Sequence, residues 1–348
     1  MRIAFHSNQL GYRGTEVNLK HLATFNQTIL NNESFIVAPA HCNIEGESIF
    51  KDFNISYINP RGDGYDSYCR EMKIDYFYSI KAGWMDYVVT SKTKQLNHFV
   101  YGKDWDFHGH RCAFISEFLI RQADKWARDR GGSLPVTEEE WCVPFYVEKL
   151  DFTDEDFREE FNISKDQIVL GFHGGRDSFN INWVINTLID IVNKDKQFVF
   201  IFLGIDPFPV PDNSFYKNFI FFSPNPDTTF KNKFINTCDG MIHARQSGET
   251  FGLSIGEFSL LNKPVLTYNK FNSKRRITEN LDSDYDTAHI DYLGDNGWYY
   301  RSPSELEFLI RNFKKIEESK NIDYADPYKK YNDPHYIMER FTKVFLSD

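Results

Sequence analysis

Two glutamates, Glu249 and Glu257, stand eight residues apart in a stretch that reads as strand, loop, helix and strand. Residues 239–244 form a short apolar run that opens into the polar loop Arg245-Gln246-Ser247-Gly248-Glu249. Residues 253–261 carry apolar side chains at helical spacing, and Asn262-Lys263-Pro264 stops them before the β-rich Val265-Leu266-Thr267-Tyr268. A loop at the carboxyl end of such a strand is where open α/β sheets bind ligands. The helix start, Thr250-Phe251-Gly252-Leu253, would aim free N–H groups and the positive end of the helix dipole at an anion, for instance a diphosphate. Glu249 in the loop and Glu257 roughly two turns into the helix would then hold hydroxyl groups on either side of that anion. The bland alternative is that both are surface carboxylates of an ordinary helix, as most glutamates are.

Other residues with chemistry to offer lie upstream. The apolar strand Ile168-Val169-Leu170-Gly171-Phe172 runs into His173-Gly174-Gly175-Arg176-Asp177. Gly175 allows the backbone to approach a ligand, and the Arg176 guanidinium offers two parallel donors to a phosphate. Near the start, Gly11 and Gly14 frame a turn-rich loop, Gly-Tyr-Arg-Gly-Thr-Glu, before a helical pattern through Leu19, Leu22 and Phe25. The dinucleotide fingerprint Gly-x-Gly-x-x-Gly is absent there. His108 and His110 sit in the loop 107–111, placed to serve an acceptor or the reacting centre; such histidines more often satisfy local hydrogen bonds. Lys81-Ala82-Gly83-Trp84 ends a further strand, which would bring it to the same sheet edge.

The elements that must position these groups alternate strand and helix through the chain. Apolar or β-rich runs at 2–6, 35–38, 55–58, 74–80, 98–101 and 113–116 precede the runs at 168–172, 198–203, 219–222, 239–244 and 265–268. The pattern predicts an α/β protein with parallel sheets. A chain of 348 residues suits two domains, with 17% aromatic residues to fill their cores. The net charge of −10 argues against a nucleic-acid partner. The longest apolar run, 198–203, is far too short to span a bilayer, and the residues after Met1 lead into a strand rather than a signal core. Five cysteines without paired spacing point to a reducing compartment and away from a zinc site. A soluble, acidic, cytoplasmic protein is expected.

On these residues the chain resembles the retaining GT-B glycosyltransferases of the glycosyltransferase family 4, or group 1, type. That family shows a glutamate, seven residues and a second glutamate, with Phe-Gly after the first and a Lys-Pro-Val strand entry downstream. Here these are Glu249, Glu257, Phe251-Gly252 and Lys263-Pro264-Val265. The resemblance covers most of 168–348 and the N-terminal half only loosely. It implies two Rossmann-like domains facing across a cleft: residues 1–150 on the acceptor side, 151–333 holding the nucleotide sugar, and 334–348 as a helix packing back on the first domain. It also implies transfer of a sugar from a nucleotide-sugar donor to the hydroxyl of a glycan, a lipid-linked or a small-molecule acceptor, with the anomeric configuration kept.

In those terms Glu249, Arg176 and His108 are the catalytic candidates. Gly14, Gly175, Arg176, Arg245, Glu249, Thr250, Phe251, Gly252, Leu253 and Glu257 form the expected donor site, and the loop 223–227 would meet the base through its backbone. One departure stands out: Ile181 occupies the position of the family's second cation, a lysine. Arg245, Lys270, Lys274 or Arg275 would have to replace it, and Arg245 is favoured because it lies in the loop before Glu249. No cofactor and no metal are expected, since no Asp-x-Asp pair ends a strand of the proposed site; Asp282-Ser283-Asp284 falls in a charged, loop-like segment. Peripheral membrane contact stays compatible with the sequence. The alternatives are an epimerase or phosphorylase of the same architecture, or a nucleotide-sugar-binding protein without turnover, the last motivated by Ile181.

Overall fold

A computed structural model describes residues 1–348 apart from 103, 135–136, 149, 151–152, 272–284, 320 and 348. The chain divides into two units, Met1–Tyr146 with Asp333–Asp348, and Val147–Asn332. The first is built on β1 (Arg2–His6), β2 (Glu33–Pro39), β3 (Ile55–Ile58), β4 (Tyr76–Lys81), β5 (Lys94–Phe99) and β6 (Arg111–Phe114), in the order β3-β2-β1-β4-β5-β6. The second is built on β7 (Ile168–His173), β8 (Phe198–Leu203), β9 (Phe219–Phe222), β10 (Gly240–His243), β11 (Val265–Tyr268) and β12 (Trp298–Tyr300), in the order β12-β11-β10-β7-β8-β9. Every strand pair in both sheets is parallel. Counted from its own first strand, each sheet has the order 3-2-1-4-5-6 of doubly wound nucleotide-binding folds. Two Rossmann-like α/β domains are what the sequence forms.

The reason is visible along β8, where all six residues of Phe198–Leu203 are buried. A parallel strand covered by crossover helices on both faces reads as an unbroken apolar run rather than an alternating one. In the first unit Ile3, Phe5, Leu19, Leu22, Ile36 and Tyr78 form one core with Ile337, Phe341 and Phe345 of the C-terminal segment. That segment is a helix only over Pro334–Phe341 and then widens into a π-type turn, Thr342–Leu346, rather than continuing as one regular helix. The turn keeps Val344 and Phe345 buried alongside Phe341.

One other expectation shifts. The strand expected at 98–101 is β5, which starts at Lys94 and ends at Phe99. Its buried polar residues hid it: Gln95 and Asn97 bond to Ser79 and to each other inside the sheet. The connector after Val147 forms no helix among its described residues, and it is pinned by Phe157, whose ring lies 5.0 Å from Phe222 and 5.1 Å from Phe230. Among the described residues no helix is long and apolar enough to cross a membrane.

Candidate functional site

In the second sheet the chain leaves β7 towards β8 and β9, then returns to the other side of β7 at β10. The crevice outside the carboxyl ends of β7 and β10 is therefore the topological switch point. β7 ends at His173 and β10 at His243, so the loop with Gly175 and Arg176 and the loop with Arg245 and Glu249 meet there. Asn180 ties them together: its N–H donates to the Ala244 carbonyl at 3.0 Å, and its Oδ1 accepts from the Gln246 N–H at 2.8 Å. Glu249 is not in open loop. Gly248–Glu249 pairs in parallel with Asp286–Thr287 as a two-residue ribbon. Gly248 has φ +70°, and a Cβ there would stand 2.0 Å from the Asp286 carbonyl oxygen, so only glycine fits.

Glu249 faces two nitrogens. His243 Nε2 lies 3.3 Å from Oε1 and Arg245 Nη1 lies 2.9 Å from Oε2. The other His243 ring nitrogen is 2.9 Å from Thr267 Oγ1, which fixes the ring. Burial pushes the Glu249 carboxyl up, but the bond from His243 and the charge of Arg245 more than reverse this, and its pKa falls to about 2. His289 lies beside His243, with ring centroids 5.1 Å apart, and neither of its nitrogens has a hydrogen-bond partner among the described residues. Burial, reinforced by His243, lowers its pKa to about 3, so this imidazole is neutral.

The helix after Glu249 runs Leu253–Leu260, and its first turn is reached through Gly252 at φ +88° with no side-chain cap. Uncapped N–H groups at a helix start are available to an anion. Phe251 is buried against Tyr292 and Tyr331, at 5.4 and 5.3 Å between centroids, so its ring is core and only its backbone can serve a ligand. Thr250 and Leu253 are half-buried beside it.

Glu257 is buried and clasped by groups that sequence reasoning missed. Lys231 Nζ bonds its Oε1, and His173 Nε2 stands 2.7 Å from its Oε2. Lys231 also approaches Glu148 at 3.8 Å. It comes from the helix Thr228–Thr237, whose start is capped by Asp227 accepting from Thr229 and Phe230. Burial raises the Glu257 carboxyl, Lys231 and His173 outweigh it, and its pKa also falls to about 2. Burial alone would lower Lys231, but Glu257 and Glu148 hold it above the ordinary lysine value. His173 had a local signal, since it precedes Gly174-Gly175-Arg176; Lys231 and Glu148 had none.

The remaining candidates divide. Gly175 and Arg176 are exposed in the β7 loop, and among the described residues no salt bridge involves Arg176. Ile181 is buried at the start of the helix Asn182–Lys194, where an unpaired ammonium would be costly. Lys270 is exposed beyond the end of β11; Lys274, Arg275 and Asp282-Ser283-Asp284 lie outside the described residues. Gly14 and His108 belong to the other unit. Gly14 opens the helix Gly14–Thr28, and His108 Nδ1 lies 3.1 Å from the Asp106 carbonyl oxygen.

The sheet order defines an α/β protein built on two Rossmann-like sheets, and the fold is that of the GT-B glycosyltransferases. Among solved structures the chain is similar to Anabaena HepE in complex with UDP and glucose, at TM-score 0.65 and 12% identity over 100% of both chains. It is also similar to WaaG, a glycosyltransferase involved in lipopolysaccharide biosynthesis, at TM-score 0.64 and 11% identity over 99% of this chain and 100% of that one. A third likeness, at TM-score 0.55 and 10% identity over 99% and 100%, is to UDP-GlcNAc 2-epimerase from Neisseria meningitidis bound to UDP-GlcNAc. No protein-family profile matches the sequence, and no curated protein matches it.

Proposed function

We propose that the protein is a glycosyltransferase that moves a sugar from a nucleotide sugar to an acceptor hydroxyl with retention of configuration. One observation carries the reading: a half-buried glutamate and a buried one, each held by a cation and a histidine, flank an uncapped helix start at the switch point of a doubly wound sheet. A carboxylate accepts about four hydrogen bonds, so each glutamate keeps capacity for a ligand after its present partners are counted. Glu257 would accept from the ribose hydroxyls and Glu249 from those of the sugar. The N–H groups of 252–254, Arg176 and the unengaged nitrogens of Arg245 would stabilise the departing diphosphate, whose developing charge needs fixed donors. That oxygen then takes the acceptor proton. No metal is required in this scheme, and His108 acts on the acceptor side. The solved likenesses bound to UDP and glucose and to UDP-GlcNAc support a donor of that chemistry.

A second reading has an observation of its own. His173, His243 and His289 crowd the two glutamates, supplying more titratable groups than transfer alone requires, as an epimerase would. Incubation of purified protein with a panel of nucleotide sugars, followed by proton NMR, separates the two. Transfer gives free nucleoside diphosphate and a first product with the donor's anomeric configuration, unaffected by chelator. Conversion to an epimeric nucleotide sugar without release favours the epimerase. A thermal shift with neither product marks a binding protein, and no shift with any donor overturns the reading.

A further inference from the structure

Glu257 is fixed at one oxygen and left open at the other. It sits on the helix Leu253–Leu260 with 6% of its surface exposed. The charged and titratable groups facing it come from three other segments: Lys231 from the helix Thr228–Thr237, His173 from the end of β7, and Glu148 on the far side of Lys231. Lys231 is held in place by its own helix. Its N–H donates to the Asp227 carbonyl at 3.0 Å, and the Asp227 side chain caps the N–H groups of Thr229 and Phe230 just before it. The Lys231 ammonium donates to Oε1 of Glu257. Oε2 is buried and completes no hydrogen bond among the described residues, although His173 Nε2 stands 2.7 Å from it. A buried carboxylate oxygen in that state marks a place for a donor. A carboxylate has about four acceptor positions, so after Lys231 is counted each oxygen keeps at least one, and the pair suits adjacent hydroxyls.

We propose that Lys231 is a positioning residue that makes Glu257 a reader of two adjacent hydroxyls, so that the site selects a ribonucleoside diphosphate over its 2′-deoxy counterpart. The inference rests on the ribose being placed at Glu257 in the glycosyltransferase reading. With Oε1 bonded and the side chain buried, rotation of the carboxylate is stopped, and Oε2 is fixed along with it. Burial raises the Glu257 carboxyl, and Lys231 is the first of the groups that more than reverse this, so the acceptor stays ionised from neutral to mildly acid pH. Set between Glu257 and Glu148, the ammonium serves carboxylates, and it does not replace the diphosphate contact that Ile181 lacks. A sugar ring without its 2′-hydroxyl leaves one fixed, buried acceptor unmet, which is the costly case for a charged group. Donors built on a deoxyribose, thymidine diphosphate sugars among them, are thereby disfavoured.

Calorimetric titration of UDP, ADP and GDP into the intact protein finds the preferred base, and the 2′-deoxy form of that nucleotide supplies the comparison. The ratio of the two dissociation constants cancels the ionisation of the diphosphate, which both share. In wild type the 2′-deoxy form should bind about tenfold or more weakly, with the same ratio from pH 8 to pH 5. Lys231→Met should shrink the ratio and make it decline as pH falls, because burial then raises the Glu257 carboxyl without the ammonium to oppose it, and a raised carboxyl takes up a proton on the way down. Lys231→Gln keeps a donor for Oε1 without the charge, and it carries the test where the methionine variant does not fold. Its ratio should match wild type at pH 8 and decline towards pH 5. His173 and Glu148 are common to all three proteins, so the differences report Lys231; a purely structural role would lower the melting temperature and leave the ratio unmoved. A wild-type ratio near one, or variant ratios as large and as independent of pH as that of wild type, would overturn the proposal and leave the glycosyltransferase reading standing. Failure of all three nucleotides to bind overturns both. The expected ratios without transfer from any nucleotide sugar refute the transferase reading alone.

Discussion

A carboxylate taken out of water is costly unless cations and hydrogen bonds meet it there, and Glu249 and Glu257 show two ways of meeting it. Glu249 uses partners from its own loop and strand, Arg245 and His243. Glu257 uses Lys231, 26 residues away, and His173 from another strand. That difference explains what was legible in the sequence. Glu249, Glu257 and Arg245 share one contiguous stretch whose spacing could be read. Lys231, Glu148 and His289 are joined to it only by the fold, and no periodicity announces a contact between distant segments. Arg176 stands apart, exposed and without a salt bridge among the described residues. With the diphosphate at the helix start, Arg176→Ala should lower kcat/KM by about two to three orders of magnitude. Arg176→Lys should restore only part, because a point charge lacks the two-pronged geometry. Full activity in the alanine variant would move the diphosphate elsewhere.

The helix Leu253–Leu260 works through the residue that leads into it. Gly252 adopts φ +88°, and a Cβ there would meet Ile255 Cδ1 at 3.3 Å and His289 Cβ at 3.4 Å. Left-handed backbone costs about 1–2 kcal/mol for a residue other than glycine, so Gly252→Ala should destabilise by about that much in urea unfolding and weaken nucleotide binding with it. A variant of unchanged stability would mean that the helix start relaxes freely. Elements were readable in proportion to how plainly they bury apolar surface. The run 198–203 declared itself whole, whereas β5, with polar residues bonded inside the sheet, showed only its carboxyl end. The ribbon of Gly248–Glu249 with Asp286–Thr287 was beyond reach, since two residues are too few for any period.

At the scale of the molecule, one strand order occurs twice and the C-terminal segment returns to the first unit, where Phe341 lies 6.3 Å from Phe5 between ring centroids. Buried histidines recur as well. Burial, as the largest cause, lowers His6, His98 and His289 from 6.5 to about 3, 4 and 3. As pH falls through 6.5 the unfolded chain takes up protons on these rings and the native state does not, so stability present at neutral pH is lost progressively on the way down. Glu249 and Glu257, lowered from 4.5 to about 2, add a second loss between those values. Glu16, raised by burial, acts in the opposite sense. The urea midpoint should therefore fall steadily from pH 7.5 to pH 5; a flat or rising midpoint would contradict this. The central claim, that a nucleotide binds at the carboxyl edge of the second sheet through Glu257, is tested most directly by calorimetric titration of UDP into wild type and Glu257→Ala. Loss of a charged acceptor for the ribose should weaken binding by about 1.5–3 kcal/mol, measured well below the Tm of the variant. An unchanged dissociation constant would contradict the account.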